Sequence, residues 1–425
     1  MKSVVKRPFG QKYAFVVAGV IFVALLASAG SRATPGVLML PLEGAFGWDR
    51  STISLAAAIG IFLYGLTGPF AAALMQTFGV RRTLICALLL MCVSTGLSAF
   101  MTTPWQFIAT WGVLSGVGSG AVALVLGATI VNRWFVTNRG LMMGLLTAST
   151  ATGTLIFLPG LAALATWGGW QAVVITLSII MAALVPLAYF LIPERPEDAG
   201  LVPYGADPDA PPAAAAPQGN AFANAINALV EASKTKVFWY LFATFFICGF
   251  TTNGLIGTHM IAFCGDMGIP EVQAASMLAM MGLFDLIGTT GSGWLTDRFD
   301  PRKLLFIYYA FRGLSLIYLP FTDFSFYSLS FFVVLYGLDW IATVPPTVKL
   351  ANEAFGDRRA PIVFGWIAAG HQLGAACAAF LGGYMRTVQG NYFDAFIIAG
   401  STGLIAAVLA LMIGRQKRAA EPAVA

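Results

Sequence analysis

The chain has 425 residues, of which 58% are hydrophobic and only 10% charged, whereas soluble domains carry about 25% charged residues. So few charges cannot cover a soluble protein of this length, and a mean hydropathy of +0.80 makes lipid the solvent for most of the chain. The net charge of +5 is then read as topology, set by where Lys and Arg sit relative to a bilayer, and not as a nucleic-acid signal.

In hydrocarbon every backbone N–H and C=O must be satisfied internally, which leaves helix bundles or closed barrels. Apolar runs of roughly 20 residues, the length of a membrane-crossing helix, recur throughout, and the alternating strands of about ten residues that mark a barrel do not. The runs predict helices over 13–40, 51–75, 83–101, 105–131, 140–165 and 170–192, then over 237–263, 272–295, 304–321, 325–348, 361–385 and 395–414. The expected fold is an all-α membrane protein of twelve transmembrane helices, built as two pseudo-symmetric six-helix bundles, residues 1–192 and 237–425, joined by a linker over 193–236.

The first run follows Lys2, Lys6, Arg7 and Lys12 and reaches Ala27-Ser28-Ala29, which mimics a signal peptide with its cleavage site. It continues past Gly30, so an uncleaved first helix is expected. In the fourth run Gly112, Gly116 and Gly120 form two successive GxxxG steps, a device for close helix packing. The linker holds the low-complexity run from Asp207 to Pro217, read as a flexible tether. The segment after it, Ala221 to Lys236, has Phe222, Ile226 and Leu229 at helical spacing, as a helix lying on the membrane surface or as a solvated linker helix. In the tenth run Pro345 and Pro346 remove two backbone donors and predict a bend, either lining a cavity beside Asp339 and Trp340 or serving packing alone.

With these helices, 20 of the 24 Lys and Arg residues fall on one side, in both termini and in the loops at 76–82, 132–139, 193–236, 296–303 and 349–360. By the positive-inside rule that side is cytoplasmic, with both termini on it. The expected location is a cell inner (plasma) membrane, crossed many times. Arg50 and Arg386 lie on the opposite side, and Arg32 and Arg312 lie within spans.

A charge at the centre of a membrane helix costs at least about 2.5–3.5 kcal/mol, so such residues usually face a cavity or a partner. Arg32, Asp285, Arg312 and Asp339 are therefore the first candidates for function. Arg32 offers a planar fork matched to a carboxylate, with snorkelling to the outer interface as the alternative. The second half holds two intramembrane acids and one base, so at least one of Asp285 and Asp339 lacks a partner there and is a candidate proton carrier. Arg312 is expected to form a structural ion pair with one of the two. The chain's two histidines, His259 and His371, titrate near neutral pH as a class; each, with Gln372 beside the second, is either a site residue or a hydrogen-bonded packing residue.

One offset of 221 residues places Gly365 on Gly144, Gly374 on Gly153, and the loop Asp297 to Lys303 on Gln76 to Arg82. Internal repeats of this kind mark many secondary transporters, whose site lies at the repeat interface. The same offset sets Asn253 on Arg32 and Asp285 on Tyr64, which makes Asn253 and Tyr64 candidates for a shared polar layer. The five cysteines form no CxxC pair, and no phosphate-cradling loop, zinc motif or nucleophile triad is visible. No metal, cofactor, catalytic residue or nucleic-acid partner is expected.

The loop Gly293-Trp294-Leu295-Thr296-Asp297-Arg298-Phe299-Asp300-Pro301-Arg302-Lys303 resembles the cytoplasmic signature of the major facilitator superfamily. Asp297, Arg298 and Arg302, with Arg81 and Arg82 in the other half, are then a candidate cytoplasmic gate, a breakable latch of carboxylate, arginines and helix N-terminus; charge anchoring alone is the bland alternative. The first-half copy departs from the pattern in having Gln76 and Thr77 where Asp and Arg are usual. Within the superfamily the segments Ser31 to Gly36, Pro41 to Trp48, Tyr64-Gly65, Arg133 to Gly140 and Phe284-Asp285 resemble the monocarboxylate transporter and oxalate:formate antiporter group.

That resemblance implies a secondary transporter of small organic anions working by alternating access, proton-coupled or by exchange, as a monomer in the bilayer. It places Arg32 at the basic position of the first helix, Asp285 at the acid of the eighth and His371 where antiporters of the group carry a lysine. It also finds Thr289 where the group carries a substrate-binding arginine. That departure keeps open carriage of a larger aromatic or cofactor-like compound; a transporter-like receptor or an intramembrane enzyme is the alternative outside transport.

Overall fold

A computed structural model describes residues 10–207 and 221–414. The basic residues Lys2, Lys6, Arg7, Arg415, Lys417 and Arg418, and the low-complexity run beyond Asp207, lie outside the described residues.

The described residues are helical almost throughout. We label the helices α1 (Tyr13–Phe46), α2 (Arg50–Thr77), α3 (Val80–Ser98), α4 (Pro104–Trp134), α5 (Arg139–Leu191), α6 (Ala221–Ser233), α7 (Lys236–Asp266), α8 (Glu271–Arg298), α9 (Pro301–Phe321), α10 (Phe326–Gly356), α11 (Arg359–Gln389) and α12 (Phe393–Leu411). All but α6 are long and apolar enough to cross a membrane, eleven helices among the described residues. The apolar stretches at 140–165 and 170–192 are both in α5. A straight helix of its 53 residues would run about 80 Å, against roughly 30 Å of hydrocarbon. It turns at Gly169, whose φ of 74° is open to glycine without Cβ strain.

Contacts divide the chain into two compact units. The first takes the residues up to Ala221 together with Met260–Ala279; the second takes Phe222–His259 together with the residues from Met280 onward. The last turns of α7 and the first of α8 thus cluster with α1–α5.

In the first unit α1 lies along α5 so closely that a Cβ on Gly153 would stand 2.7 Å from the Leu26 carbonyl. The glycine ladder of α4 does the same against α2: a Cβ on Gly116 would stand 2.8 Å from the Gly60 carbonyl, and one on Gly120 would stand 2.8 Å from that of Tyr64. Small residues there let the backbones meet, which sets the depth and rotation of Tyr64. In the second unit Gly254 of α7 meets α11 at Ala375, and Gly313 of α9 meets α12 at Gly400.

The helix after the linker is a docked element. In α6, Ala225 and Ala232 are buried, Ala228 and Leu229 pack on the apolar core of the second unit, and Trp366 Nε1 donates to the Ala225 carbonyl at 2.8 Å. Protein, not lipid or water, covers that face.

Candidate functional site

The intramembrane charges fall into two groups with opposite character. In the first unit Arg32 projects from α1 with its guanidinium carbon 4.3 Å from the centre of the Tyr64 ring. A cation over an aromatic face is attracted by the ring quadrupole, but no carboxylate pairs with Arg32 among the described residues, and its buried Nε has no hydrogen-bond partner. The backbone beside it is also loosened, because Pro35 lacks the N–H that would bond the Ser31 carbonyl.

In the second unit Arg312 is fully engaged. Its Nε donates to Asp339 Oδ2 at 2.6 Å, Nη1 to Cys248 Sγ at 2.9 Å, and Nη2 to the carbonyls of Asp339 and, at 3.1 Å, Trp340. The carbonyls are free because α10 unwinds over residues 340–343, just before Pro345 and Pro346. Those prolines leave the Ile341 and Ala342 carbonyls without their helical donors, and Ser292 Oγ donates to Ala342 O instead at 2.5 Å. The double proline therefore makes a gap that α8 and α9 fill with side chains.

Asp285 belongs to the same repair. Its Oδ1 accepts from the Ile341 N–H and from Thr289 Oγ1, both at 2.8 Å, and no cation pairs with it among the described residues. Thr289, standing where the group's arginine is usual, thus contributes a neutral donor to the carboxylate. Asp339 differs in having its charge matched by Arg312, while its Oδ1 has no hydrogen-bond partner.

The histidines separate as well. His259 is wholly buried, with Nε2 2.7 Å from the Ala379 carbonyl and Nδ1 3.2 Å from the Tyr392 hydroxyl. A carbonyl only accepts, so Nε2 carries the proton, and the ring ties α7 to α11 and to the start of α12. His371 is half-buried on α11, its ring centre 4.9 Å from that of Phe245. Gln372 and Asn253 are half-buried too. Asn253 sits in a wide π-turn of α7, Phe250–Ile256, a feature frequent at functional sites.

At the signature loop, the carboxylate that pairs is Asp300 and not Asp297. Asp300 caps α9 by accepting from the Arg302 N–H at 3.0 Å and takes the Arg302 guanidinium at 2.7 Å. Asp297 is exposed, Arg298 lies 4.1 Å over the Trp294 ring, and Lys349 donates to the Thr296 carbonyl at 2.6 Å. Together they border an open cleft of about 270 Å³.

In the first-half copy, Glu194 accepts from the N–H groups of Val80 and Arg81 at 2.6 and 3.1 Å and pairs with Arg133 at 2.8 Å. Arg81 lies over the Tyr189 ring, and Arg82 is exposed. The 221-residue offset sets Gly79 on Asp300, and a Cβ on Gly79 would stand 2.6 Å from Glu194 Oε2. A distant acid thus caps α3 where the repeat lacks its own. Sequence reasoning missed Glu194 and Cys248, since neither stands in a spacing pattern and their partners lie 61–114 residues away.

Comparison with known proteins places this geometry. A model of the Major Facilitator Superfamily matches residues 20–359 and 293–425. The chain is 29% identical over 366 residues to an uncharacterized MFS-type transporter of Bacillus subtilis, over 83% of this chain and 84% of that one. It is 25% identical over 370 residues to monocarboxylate transporter 13 of Rattus norvegicus, over 86% and 81% of the two. Among solved structures, that of a D-xylose-proton symporter matches with a TM-score of 0.72 at 15% identity, over 94% of this chain and 97% of that one, a likeness of fold. With an all-helical chain, charges held inside the membrane and these relatives, the chain belongs to the major facilitator superfamily of transporters, close to its monocarboxylate transporter group.

Proposed function

We propose that the protein is a secondary carrier of small organic anions, carboxylates first among them, that works by alternating access and couples transport to protons or to exchange. It crosses an inner membrane twelve times as a monomer with both termini in the cytoplasm, the two arms of α5 counting as separate crossings. The observation that carries this reading is Arg32: a guanidinium within a membrane helix, steadied by Tyr64, with a buried Nε that no protein group accepts. A membrane charge without a partner is costly, and a substrate carboxylate is the group that removes the cost. His371 and Gln372, with Asn253, offer further polar contacts, and Asp285 is the preferred proton carrier because Asp339 is matched by Arg312.

The test is uptake of radiolabelled carboxylates into proteoliposomes. Arg32→Ala abolishes uptake and Arg32→Lys retains part of it; unchanged transport in Arg32→Ala sinks the assignment. Collapsing the pH gradient stops net uptake if protons drive it, and Asp285→Asn then leaves counterflow while removing the response to the gradient. A specific observation favours a second reading, a larger aromatic or cofactor-like substrate: Thr289 replaces the arginine that the monocarboxylate group uses. A thermal-shift screen of carboxylates against aromatic and cofactor-like compounds separates the two.

A further inference from the structure

Helix α4 is broken inside the membrane. Its first arm ends at Ala121, Val122 and Ala123 leave helical geometry with ψ of 53° and −178°, and a second arm of 11 residues, Leu124–Trp134, begins there. The N–H groups of Ala123 and Val125 have no acceptor among the described residues, and no side chain caps the arm. A helix start gathers unpaired N–H groups and the positive pole of the dipole, which together attract an anion. In hydrocarbon such a start is costly unless a polar group meets it.

The group that meets it comes from α1. A Cβ on Gly127 would stand 3.6 Å from Leu25 Cδ1, and α1 and α4, three crossings apart, run antiparallel. Three residues onward in α1 are therefore level with three or four residues back in α4, about 5 Å along the axis, and Ser28 faces the start of the second arm. The register holds seven residues on, where Arg32 lies over Tyr64 and Gly120 packs on the Tyr64 carbonyl. Ser28 is 1% exposed, and its Oγ has no hydrogen-bond partner; nor have Ser31 Oγ and Arg32 Nε on the same turn. Other buried hydroxyls, those of Thr34, Ser119 and Ser149, bond a carbonyl of their own helix. No acid balances these donors, since the sequence has no Asp or Glu between Asp49 and Glu194.

We infer that the Ser28 hydroxyl and the N–H groups of Ala123 and Val125 form a second carboxylate station, one helical turn, about 6 Å, from Arg32. The inference rests on the carboxylate-carrier reading: a carboxylate that leaves Arg32 is received there before it moves on toward the cytoplasm. Hydroxyl and N–H groups donate without a full charge, so the station holds an anion less tightly than a guanidinium and releases it, as a path requires.

The experiment reads the station without a transported substrate. Ser28→Cys puts a thiol of nearly equal shape at the helix start, where the thiolate is favoured; Ala24→Cys, one turn away in α1 and equally buried, is the control. Both proteins are alkylated by iodoacetamide in detergent, and mass spectrometry follows the peptide that carries the new cysteine, so the native cysteines stay. An ordinary thiol reacts about fiftyfold faster at about pH 8.5 than at about pH 6.5, and Ser28→Cys should gain less than about fivefold. Acetate should slow Ser28→Cys at least about twofold and leave Ala24→Cys unchanged. If Ser28→Cys is not monodisperse, Ala123→Cys, on the arm itself, carries the same readout. An ordinary rise with pH, no reaction, or no effect of acetate overturns the station. Lost uptake in Arg32→Ala beside an ordinary profile at residue 28 removes the station alone; a flat profile slowed by acetate, beside unchanged uptake in Arg32→Ala, removes the Arg32 assignment alone.

Discussion

Two arginines of identical chemistry, both inside the membrane, have opposite situations. Arg312 is met by a carboxylate, a thiol and two carbonyls, whereas Arg32 has an aromatic face and a free Nε. Breaking a buried ion pair leaves an uncompensated charge and costs about 3–5 kcal/mol, whereas replacing both partners by apolar residues of similar volume is often neutral. Arg312→Met should therefore lower Tm in detergent sharply, and adding Asp339→Leu should recover most of the loss. If the double variant is no more stable than the single one, Arg312 acts through the carbonyls of α10 and not through its charge partner. That Arg32, Asp285, Arg312 and Asp339 lie within apolar runs, where lipid penalises each of them, was legible in the sequence. Which acid Arg312 takes was not, since the choice between Asp285 and Asp339 depends on where α10 unwinds.

At the scale of helices, the repairs are more informative than the regular turns. The double proline announced a bend in α10, and the pattern alone could not say that Arg312, Asp285 and Ser292 would supply the missing bonds. The cap of α3 is a sharper case. The repeat puts Gly79 where the second half has the capping Asp300, and Glu194, from beyond α5, supplies the carboxylate at the helix start. Glu194→Ala strips two N–H groups of their acceptor and Arg133 of its carboxylate, a loss of about 1–2 kcal/mol by analogy with helix caps. Glu194→Gln keeps an accepting oxygen and should cost less. Differential scanning fluorimetry orders the three proteins, and equal Tm values for Glu194→Ala and the parent would remove the cap from the account.

At the scale of the molecule, composition determined the class, and the fold was readable because apolar runs in lipid have few alternatives to helix. The end of α7 was not readable, since the Arg50–Asp266 pair and the approach of Gly265 to Leu40 join residues far apart in sequence. The proposed topology depends on α5 doubling back at Gly169. A cysteine at Trp167, 88% exposed, should label from outside, and one at Thr137 from inside. Labelling of both from one side would make α5 a different kind of element.

The wide turn at Phe250–Ile256 gains a meaning from its two neighbourhoods. Just before it α7 is pressed against α11, where a Cβ on Gly249 would meet the His371 carbonyl. Beyond it the same helix ends in the grip of Arg50. A helix held near both ends bends where its hydrogen bonding is already irregular, and a turn that already carries one residue too many yields with the least loss. The π-turn is then a mechanical fuse: stiffening it by deleting its extra residue should freeze the carrier while leaving both clamps intact.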